Sequence, residues 1–293
     1  MAVTNQLTDL KLEILDRCPM RCVHCSSESS RDRTLFVSPS QVAEVMREFV
    51  LLDGKQVEIS GGEPLEHPEL LAILDVIRAE NLATTIYTTG TRVTRDRSIS
   101  PLDFAFAEEL RHRTRSLVFS LQAGEAAIHD AFTEVPGSFE ATIAAIQACQ
   151  FVGIDVTLHC VPTQINFESL PALIDMMRTL RVRRVSLLRF VPHGRGIGHS
   201  LALNRQQHLA LRAMVTSLAS DNQVSIRLGS PYSILQRVDV PACRAGIDRM
   251  LIAPDGTAYP CDAYKGFVFP DDAFANVFAV GLETVWTRSA FFR

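Results

Sequence analysis

Six times between residues 10 and about 204, a short β-forming run gives way to a stretch whose apolar residues recur at helical spacing. That alternation restricts the chain to few architectures. The β-forming runs are 10–15, 56–60, 83–88, 116–121, 154–161 and 184–190. The first helical stretch opens with Ser38 as N-cap, Pro39 at the first helical position and Gln41 completing a capping box. Its Val42, Val45, Met46, Phe49 and Val50 are expected to face a core, with Gly54 as the stop. Helices follow over 67–80, 101–113 and 139–152. Another is capped by Asn166 and carries Leu170, Leu173, Ile174 and Met177, and one more starts near Asn204. Strands and helices in strict alternation make parallel β-α units with the helices outside. Six such units fit a partial (β/α)6, TIM-like barrel, an α/β fold whose functional loops lie at the carboxyl ends of the strands.

The loop after the first run reads Cys18-Pro19-Met20-Arg21-Cys22-Val23-His24-Cys25. Cysteine thiolates are the usual ligands of a [4Fe–4S] cluster. Three of them would hold three irons and leave the fourth open, as a catalytic metal keeps one position free. A zinc site or a set of buried core thiols are the other readings. Zinc ordinarily takes four protein ligands, often from paired C-x2-C units, and no partner pair lies nearby. The second run ends in Gly61-Gly62-Glu63-Pro64, where adjacent glycines let the backbone approach a ligand closely, although such a sequence on its own is commonly just a turn. Cys149 and Cys160 read as buried apolar thiols, Cys149 on a helix face with Ile143 and Ile146. Residues 250–260 read as a β-hairpin turned by Asp255-Gly256 and flanked by Cys243 and Cys261.

At 293 residues the chain suits one large domain or one and a half. A formal net charge of −4 gives no general case for binding nucleic acid or an anionic membrane. No run approaches the roughly 18 apolar residues of a membrane span, and the N-terminus has no secretory pattern. Seven cysteines in such a chain suit a reducing cytoplasm and metal binding better than disulfides. The expectation is a cytoplasmic protein with neither nucleic acid nor membrane as partner. Positive charge comes almost wholly from arginine, the lysines being Lys11, Lys55 and Lys265.

The cysteine spacing together with GGEP 36 residues beyond Cys25 closely resembles the radical S-adenosylmethionine (SAM) superfamily, over residues 10 to about 200. The resemblance implies that Cys18, Cys22 and Cys25 hold the cluster and that the backbone of Gly61, Gly62, Glu63 and Pro64 meets the amino group of SAM. Tyr87-Thr88-Thr89-Gly90 is similar to the family's Thr-Asn-Gly step, which brings Thr88 to the cofactor. Residues 119–124 with His129-Asp130 resemble a segment of SPASM-type maturases, by which Ser120 and Gln122 point into the barrel. Thr133 stands where many relatives carry an arginine for the SAM carboxylate, and Arg189 is a substitute for it. His159 faces the SAM ribose, the substrate, or a purely structural partner. The glycine-flanked basic loop 191–196 is either a substrate contact or a plain connector.

Residues 243–293 resemble, more weakly, the opening of a SPASM or twitch domain, a hairpin followed by a short helix at 282–286. That divides the chain into a core, 1–222, and a C-terminal extension, 223–293. In the family such an extension binds auxiliary iron–sulfur clusters. Cys243 and Cys261 supply two ligands of the four required, with Asp262 or Cys160 as candidates to complete the set; a hairpin without metal and a longer natural chain are the other outcomes. The implied activity is reductive cleavage of SAM to a 5′-deoxyadenosyl radical that takes hydrogen from a substrate, foremost in peptide or protein maturation. A dehydrogenase or epimerase acting on a small molecule is the alternative within the family. A non-catalytic iron–sulfur protein for electron transfer or redox sensing is the alternative outside it. The implied partners are a peptide or small-molecule substrate, a flavodoxin- or ferredoxin-type electron donor and, with no N-terminal domain ahead of the first strand, a separate leader-peptide recognition protein.

Overall fold

The computed structural model describes residues 6–229, 243–267 and 272–292. In chain order it runs β1 (Asp9–Glu13), α1 (Pro39–Leu51), β2 (Gln56–Ser60), α2 (Leu70–Ala79), β3 (Ala83–Thr88) and a small hairpin, β4 (Thr91–Val93) with β5 (Ile99–Pro101). Next come α3 (Phe104–Arg111), β6 (Ser116–Ser120), α4 (Ala126–Thr133), α5 (Ser138–Phe151), β7 (Asp155–Cys160), α6 (Leu170–Thr179), β8 (Arg184–Leu187) and α7 (Arg205–Ser217). The chain closes with β9 (Ser225–Leu228), β10 (Arg249–Ile252), β11 (Ala258–Tyr259), α8 (Val277–Val280) and α9 (Leu282–Arg288). The main sheet has the order β11-β10-β1-β2-β3-β6-β7-β8-β9, and every pairing in it is parallel except β10 with β11. The six expected strands are therefore consecutive in the sheet, as in a partial TIM-like barrel. β9 extends them at one edge, and the C-terminal hairpin adds to β1 at the other.

Strand alternation explains the sequence pattern. Leu10, Leu12, Val57, Ile59, Ile86, Leu117, Phe119, Leu158, Val185 and Leu187 face the helices and are buried in one core with α1, α2, α5 and α6. The opposite face is polar: Lys11 pairs in register with Glu58, Glu58 with Thr85 and Thr85 with Ser116, while Ser120 is beside His159 and His159 beside Ser186. A parallel sheet covered on both faces ordinarily has apolar residues on both; here one face is left for polar groups.

Helix α1 has the expected reciprocal capping box, but two details differ. Val50 is 39% exposed, because the step of about 100° from buried Phe49 carries it off the core face. The left-handed residue that ends the helix is Asp53 (φ 65°); Gly54 is required instead for space, since a Cβ there would lie 2.5 Å from the Phe49 ring. Asn166 does not cap a helix with its side chain. Its Oδ1 accepts from the Thr163 N–H and its Nδ2 donates to the Gln122 and Val161 carbonyls, fastening the ends of β6 and β7. The hairpin turned at Asp255-Gly256 forms as expected, and Asn204 caps α7 with a second reciprocal box. No helix among the described residues is long and apolar enough to cross a membrane.

Candidate active site

The cysteine loop leaves the end of β1 and is fastened from three sides. The Cys18 N–H donates to the Ser30 carbonyl (3.1 Å), closing the loop on itself. The N–H groups of Arg21 and Val23 donate to the carbonyls of Thr133 and Phe132 at the end of α4 (2.9 and 3.1 Å). From far along the chain, Arg195 donates through Nε to the Cys22 carbonyl (3.1 Å), through Nη1 to the Ser29 carbonyl (2.8 Å) and through its backbone N–H to the Cys25 carbonyl (3.1 Å). Gly194 makes this approach feasible, since a Cβ there would stand 2.6 Å from the Cys25 carbonyl oxygen. The basic loop 191–196 is thus a clamp on the cysteine loop. Thr133, found in place of an arginine, is buried and hydrogen-bonded to Ser138 (2.6 Å) at the start of α5.

Cys18, Cys22 and Cys25 are free thiols, Cys18 buried and the others half-buried. Among the described residues no three Cys, His, Asp or Glu side chains gather as a single-ion site, so the loop presents separate thiols. Burial pushes the Cys22 thiol up to about 12, with Cys25 beside it adding to the rise, and it pushes Cys18 well up too. Thiols in that state are protonated at neutral pH, so iron must displace protons to bind.

GGEP follows β2 and lies directly against the chain that leads to the thiols. The Gly62 N–H donates to the Leu15 carbonyl and the Glu63 N–H to the Arg17 carbonyl (both 2.8 Å). Gly61 takes φ +124°, and a Cβ on Gly62 would lie 1.9 Å from the Arg17 carbonyl oxygen, so both glycines are required by close backbone approach. Glu63 is fully buried, and its carboxylate accepts from Leu65 N–H, Thr88 Oγ1, Thr89 N–H and Thr89 Oγ1. Burial outweighs these bonds and lifts its pKa to about 7. With both oxygens engaged, the Glu63 side chain holds GGEP to the end of β3, leaving main chain as the part of the motif that can meet a ligand. Pro64 begins the short 3-10 turn that follows.

Thr88 supports this arrangement: it faces the helices, bonds Glu63 (2.5 Å) and accepts from the Gly90 N–H (2.8 Å). Gln122 departs from the expectation that it points into the barrel. Its Oε1 accepts from the Val161 N–H (3.0 Å), and its own N–H donates to His129 Nδ1 (3.2 Å). Ser120 and His159 do share the polar face, as neighbours in register. His159 Nε2 is buried and unpartnered, its ring edge-on to Tyr87; burial, with Lys11 nearby, depresses its pKa to about 4. Arg189 is exposed beyond β8, with no partner for its guanidinium among the described residues.

His24, Lys11 and Lys265 belong here although nothing in the sequence assigned them a role of their own. His24, within the cysteine loop, has a buried unpartnered Nδ1 and a ring 4.7 Å from that of Phe132. Burial, then His159 nearby, lowers its pKa to about 3. Lys11 Nζ donates to both carboxylate oxygens of Asp262 (2.9 and 2.8 Å), and Lys265 Nζ donates to Glu13 and to Ser27 Oγ (2.7 Å). His193 adds a bond to the Ala263 carbonyl (2.7 Å). The one available signal was scarcity: two of the three lysines in the chain are in this network.

At the C-terminus, Cys243 is exposed and Cys261 half-buried, close enough for Cys243 to help raise the Cys261 pKa, after burial as the larger cause. Neither expected helper is available to them. Cys160 is fully buried on the helix side of β7 with its thiol toward the Gln122 carbonyl (3.6 Å), and Asp262 is taken by Lys11 and Lys265.

Three unpaired thiols on one loop, held against the main chain of GGEP by close backbone approach at Gly61 and Gly62, fit a three-cysteine iron–sulfur cluster with an open iron. Known proteins agree. The model of the radical SAM superfamily matches residues 12–177. Among curated relatives, the PqqA peptide cyclase of Gluconobacter oxydans is 26% identical over 298 residues, covering 100% of this chain and 80% of its own. The mycofactocin maturase MftC of Mycobacterium tuberculosis is 27% identical over 301 residues, covering 97% and 71%. In fold, Streptococcus suis SuiB bound to S-adenosylmethionine superposes with a TM-score of 0.77 at 17% identity, over 98% of this chain and 67% of that one. AdoMet-bound anSMEcpe gives a TM-score of 0.70 at 16% identity, over 97% and 81%. A family model that spans both the cysteine loop and GGEP, set on a matching barrel, makes this chain a member of the radical SAM superfamily, a family of enzymes that use a [4Fe–4S] cluster and SAM.

Proposed function

We propose that this radical SAM enzyme matures a peptide or protein substrate. The observation that carries the reading is similarity along the whole chain, past the barrel and through the C-terminal hairpin, to a relative named for cyclising a peptide. With cluster and SAM bound, the pair supplies a 5′-deoxyadenosyl radical able to take hydrogen from an unactivated carbon. The chain's own part is binding, orientation and exclusion. Cys18, Cys22 and Cys25 hold the irons. The main chain of Gly61 to Pro64, fixed by Glu63 and Thr88, receives the amino end of SAM. Ser120 and the neutral His159 offer hydrogen-bonding groups on the polar face, and Arg189 a guanidinium for a carboxylate. Gln122 works from behind, holding the ends of β6 and β7 together. The enclosing barrel keeps water and stray hydrogen donors from the radical.

The extension 223–293 serves this core, 1–222, as an appendage that enters its polar face through Asp262 and Lys265. Cys243 and Cys261 are the place for an auxiliary cluster, which requires ligands beyond the described residues. A flavodoxin or ferredoxin supplies the electron.

The test is anaerobic reconstitution followed by reduction and measurement of 5′-deoxyadenosine, then mass spectrometry of a precursor peptide encoded beside the gene. Cleavage of SAM that is abolished in Cys22→Ala, with loss of hydrogens from the peptide, is the expected result. No cleavage by the wild type, or undiminished cleavage by Cys22→Ala, would sink the catalytic reading; cleavage with an unaltered peptide would redirect it to a small molecule.

A further inference from the structure

On the polar face of the sheet, Arg227 is a cation that the fold leaves without an acid. It lies on β9 in register with Ser186 of β8, which is beside His159 of β7. Its guanidinium donates through Nη1 to Ser186 Oγ (3.3 Å) and meets no carboxylate among the described residues. Acids of the same face already have cations of their own: Arg184 holds Asp155, Lys11 and Lys265 hold Asp262, and Arg249 is beside Glu58. Beyond Ser186, the Nε2 of His159 is buried with no partner, and the Tyr87 ring meets that imidazole edge-on at 6.1 Å. β3, which carries Tyr87, is four places from β9 in the sheet. Arg227 is nevertheless close enough to Tyr87 to oppose the rise that burial and then Glu58 give its pKa. It also adds to the lowering of the His159 pKa, after burial and Lys11. The curl of the sheet thus brings an unpaired guanidinium, a hydroxyl, an imidazole and a phenol to one region of the barrel.

We infer that Arg227 selects for a carboxylate on the substrate and holds it at the β9 wall together with Ser186 and His159. This rests on the reading of the substrate as a peptide, and it names what that peptide must carry: an acidic side chain or its own free C-terminus. A guanidinium fork matches a carboxylate with two parallel charge-assisted hydrogen bonds. The neutral imidazole adds an Nε2 donor to the same group, which satisfies a buried nitrogen that is otherwise alone. Arg227 is itself exposed, so the incoming group can reach it. β9 ends the sheet on the side away from β1, whose loop carries the three thiols. An acid anchored at β9 therefore stretches the adjoining chain across the polar face, and the anchor decides which residue of the peptide is presented to the radical.

The experiment is titration calorimetry of the reconstituted enzyme with SAM and without reductant, so that binding is read apart from turnover. The probes are three forms of the precursor peptide encoded beside the gene: native, with its acidic side chains changed to amides, and with its C-terminus amidated. Arg227→Gln should bind the native peptide about tenfold more weakly than the wild type, and Arg227→Lys should recover part of the loss. The wild type should show the same loss with whichever altered peptide lacks the anchoring carboxylate, and Arg227→Gln should not tell that peptide from the native one. The two altered forms thereby separate a side chain from the C-terminus as the source. Equal binding of the native peptide by wild type and Arg227→Gln overturns the assignment. So does a loss in Arg227→Gln that neither altered peptide reproduces. A KM for SAM raised in Arg227→Gln, with peptide binding intact, also overturns it by giving the guanidinium to the cofactor. A wild type that cleaves SAM yet binds none of the three peptides sinks the peptide reading instead, and the assignment falls with it.

Discussion

At Gly62 two stretches of backbone run closer than any side chain would permit, a Cβ there falling 1.9 Å from the Arg17 carbonyl oxygen. Gly62→Ala must push GGEP away from the chain entering the cysteine loop, and a displacement of about 1 Å in a reacting geometry costs on the order of a hundredfold in rate. SAM cleavage should fall by about that factor while the variant still unfolds cooperatively in urea; wild-type cleavage by Gly62→Ala would show that this approach is not catalytic geometry. His129 offers a pH test. It is buried, its Nδ1 accepts from the Gln122 N–H, and burial lowers its pKa to about 4. Between the ordinary 6.5 and that value the unfolded chain binds a proton that the folded chain refuses. The stability contributed by neutral His129 is therefore complete above about pH 6.5 and is lost as pH falls towards 4, on the order of 3 kcal/mol across the window. Urea midpoints measured from pH 7 to 4 should fall less steeply in His129→Asn, which keeps an acceptor that does not titrate; an unchanged slope would place the titration elsewhere.

Among the elements, the loop 191–196 does the least expected thing, since a connector between β8 and α7 holds the ligand loop of β1. Removing the guanidinium in Arg195→Met leaves the carbonyls of Cys22 and Ser29 without these donors. Iron should then be lost to a chelator roughly tenfold faster than from the wild type, and Arg195→Lys should recover part of the difference, because a point charge replaces one bond of the fork. Equal iron loss in all three proteins would reduce the loop to a connector. This clamp was invisible in the sequence for a physical reason, namely that its partners lie 166 and 173 residues away. Ser38 and Asn204 were legible as caps, or cap position, because a capping box closes within three residues. Cys18 to Cys25 and GGEP were legible as motifs because their residues stand at short spacing, and close backbone approach fixes glycine at 61 and 62. Asn166 and Gln122 misled in the same way that Arg195 hid: each spends its side chain on a neighbouring strand end rather than on its own segment. The hairpin β4–β5 and the seventh parallel strand β9 were missed, the former for its three-residue strands and the latter for a four-residue run, Ser225–Leu228, with charge on its polar face.

For the molecule as a whole, the unusual feature is that the C-terminal segment supplies charge to the interior of the fold's oldest part in chain order, β1. Lys265 reaches Glu13 on β1, Ser27 two residues past Cys25, and Asp262 (3.1 Å), which in turn neutralises Lys11. Burial opposes the charge on Lys265, yet Glu13 and Asp262 outweigh it and hold its pKa above the usual range. The side chains of Lys265 and Glu13 are only 10% and 4% exposed, so this is an ion pair of the interior. Breaking such a pair by removing one partner costs about 3–5 kcal/mol, mostly because the other charge is left buried and alone, whereas removing both charges together is far less costly. Lys265→Met should therefore lower the free energy of unfolding by about that amount, and Lys265→Met combined with Glu13→Gln should regain most of it. The reconstituted proteins add a second reading. If Lys265 also ties the extension to the cysteine loop through Ser27, the double variant will be stable again and yet hold its iron less firmly against a chelator. If stability and iron retention recover together, the network is a device for filling the barrel, and the coupling between the C-terminal turn and the cluster loop is incidental.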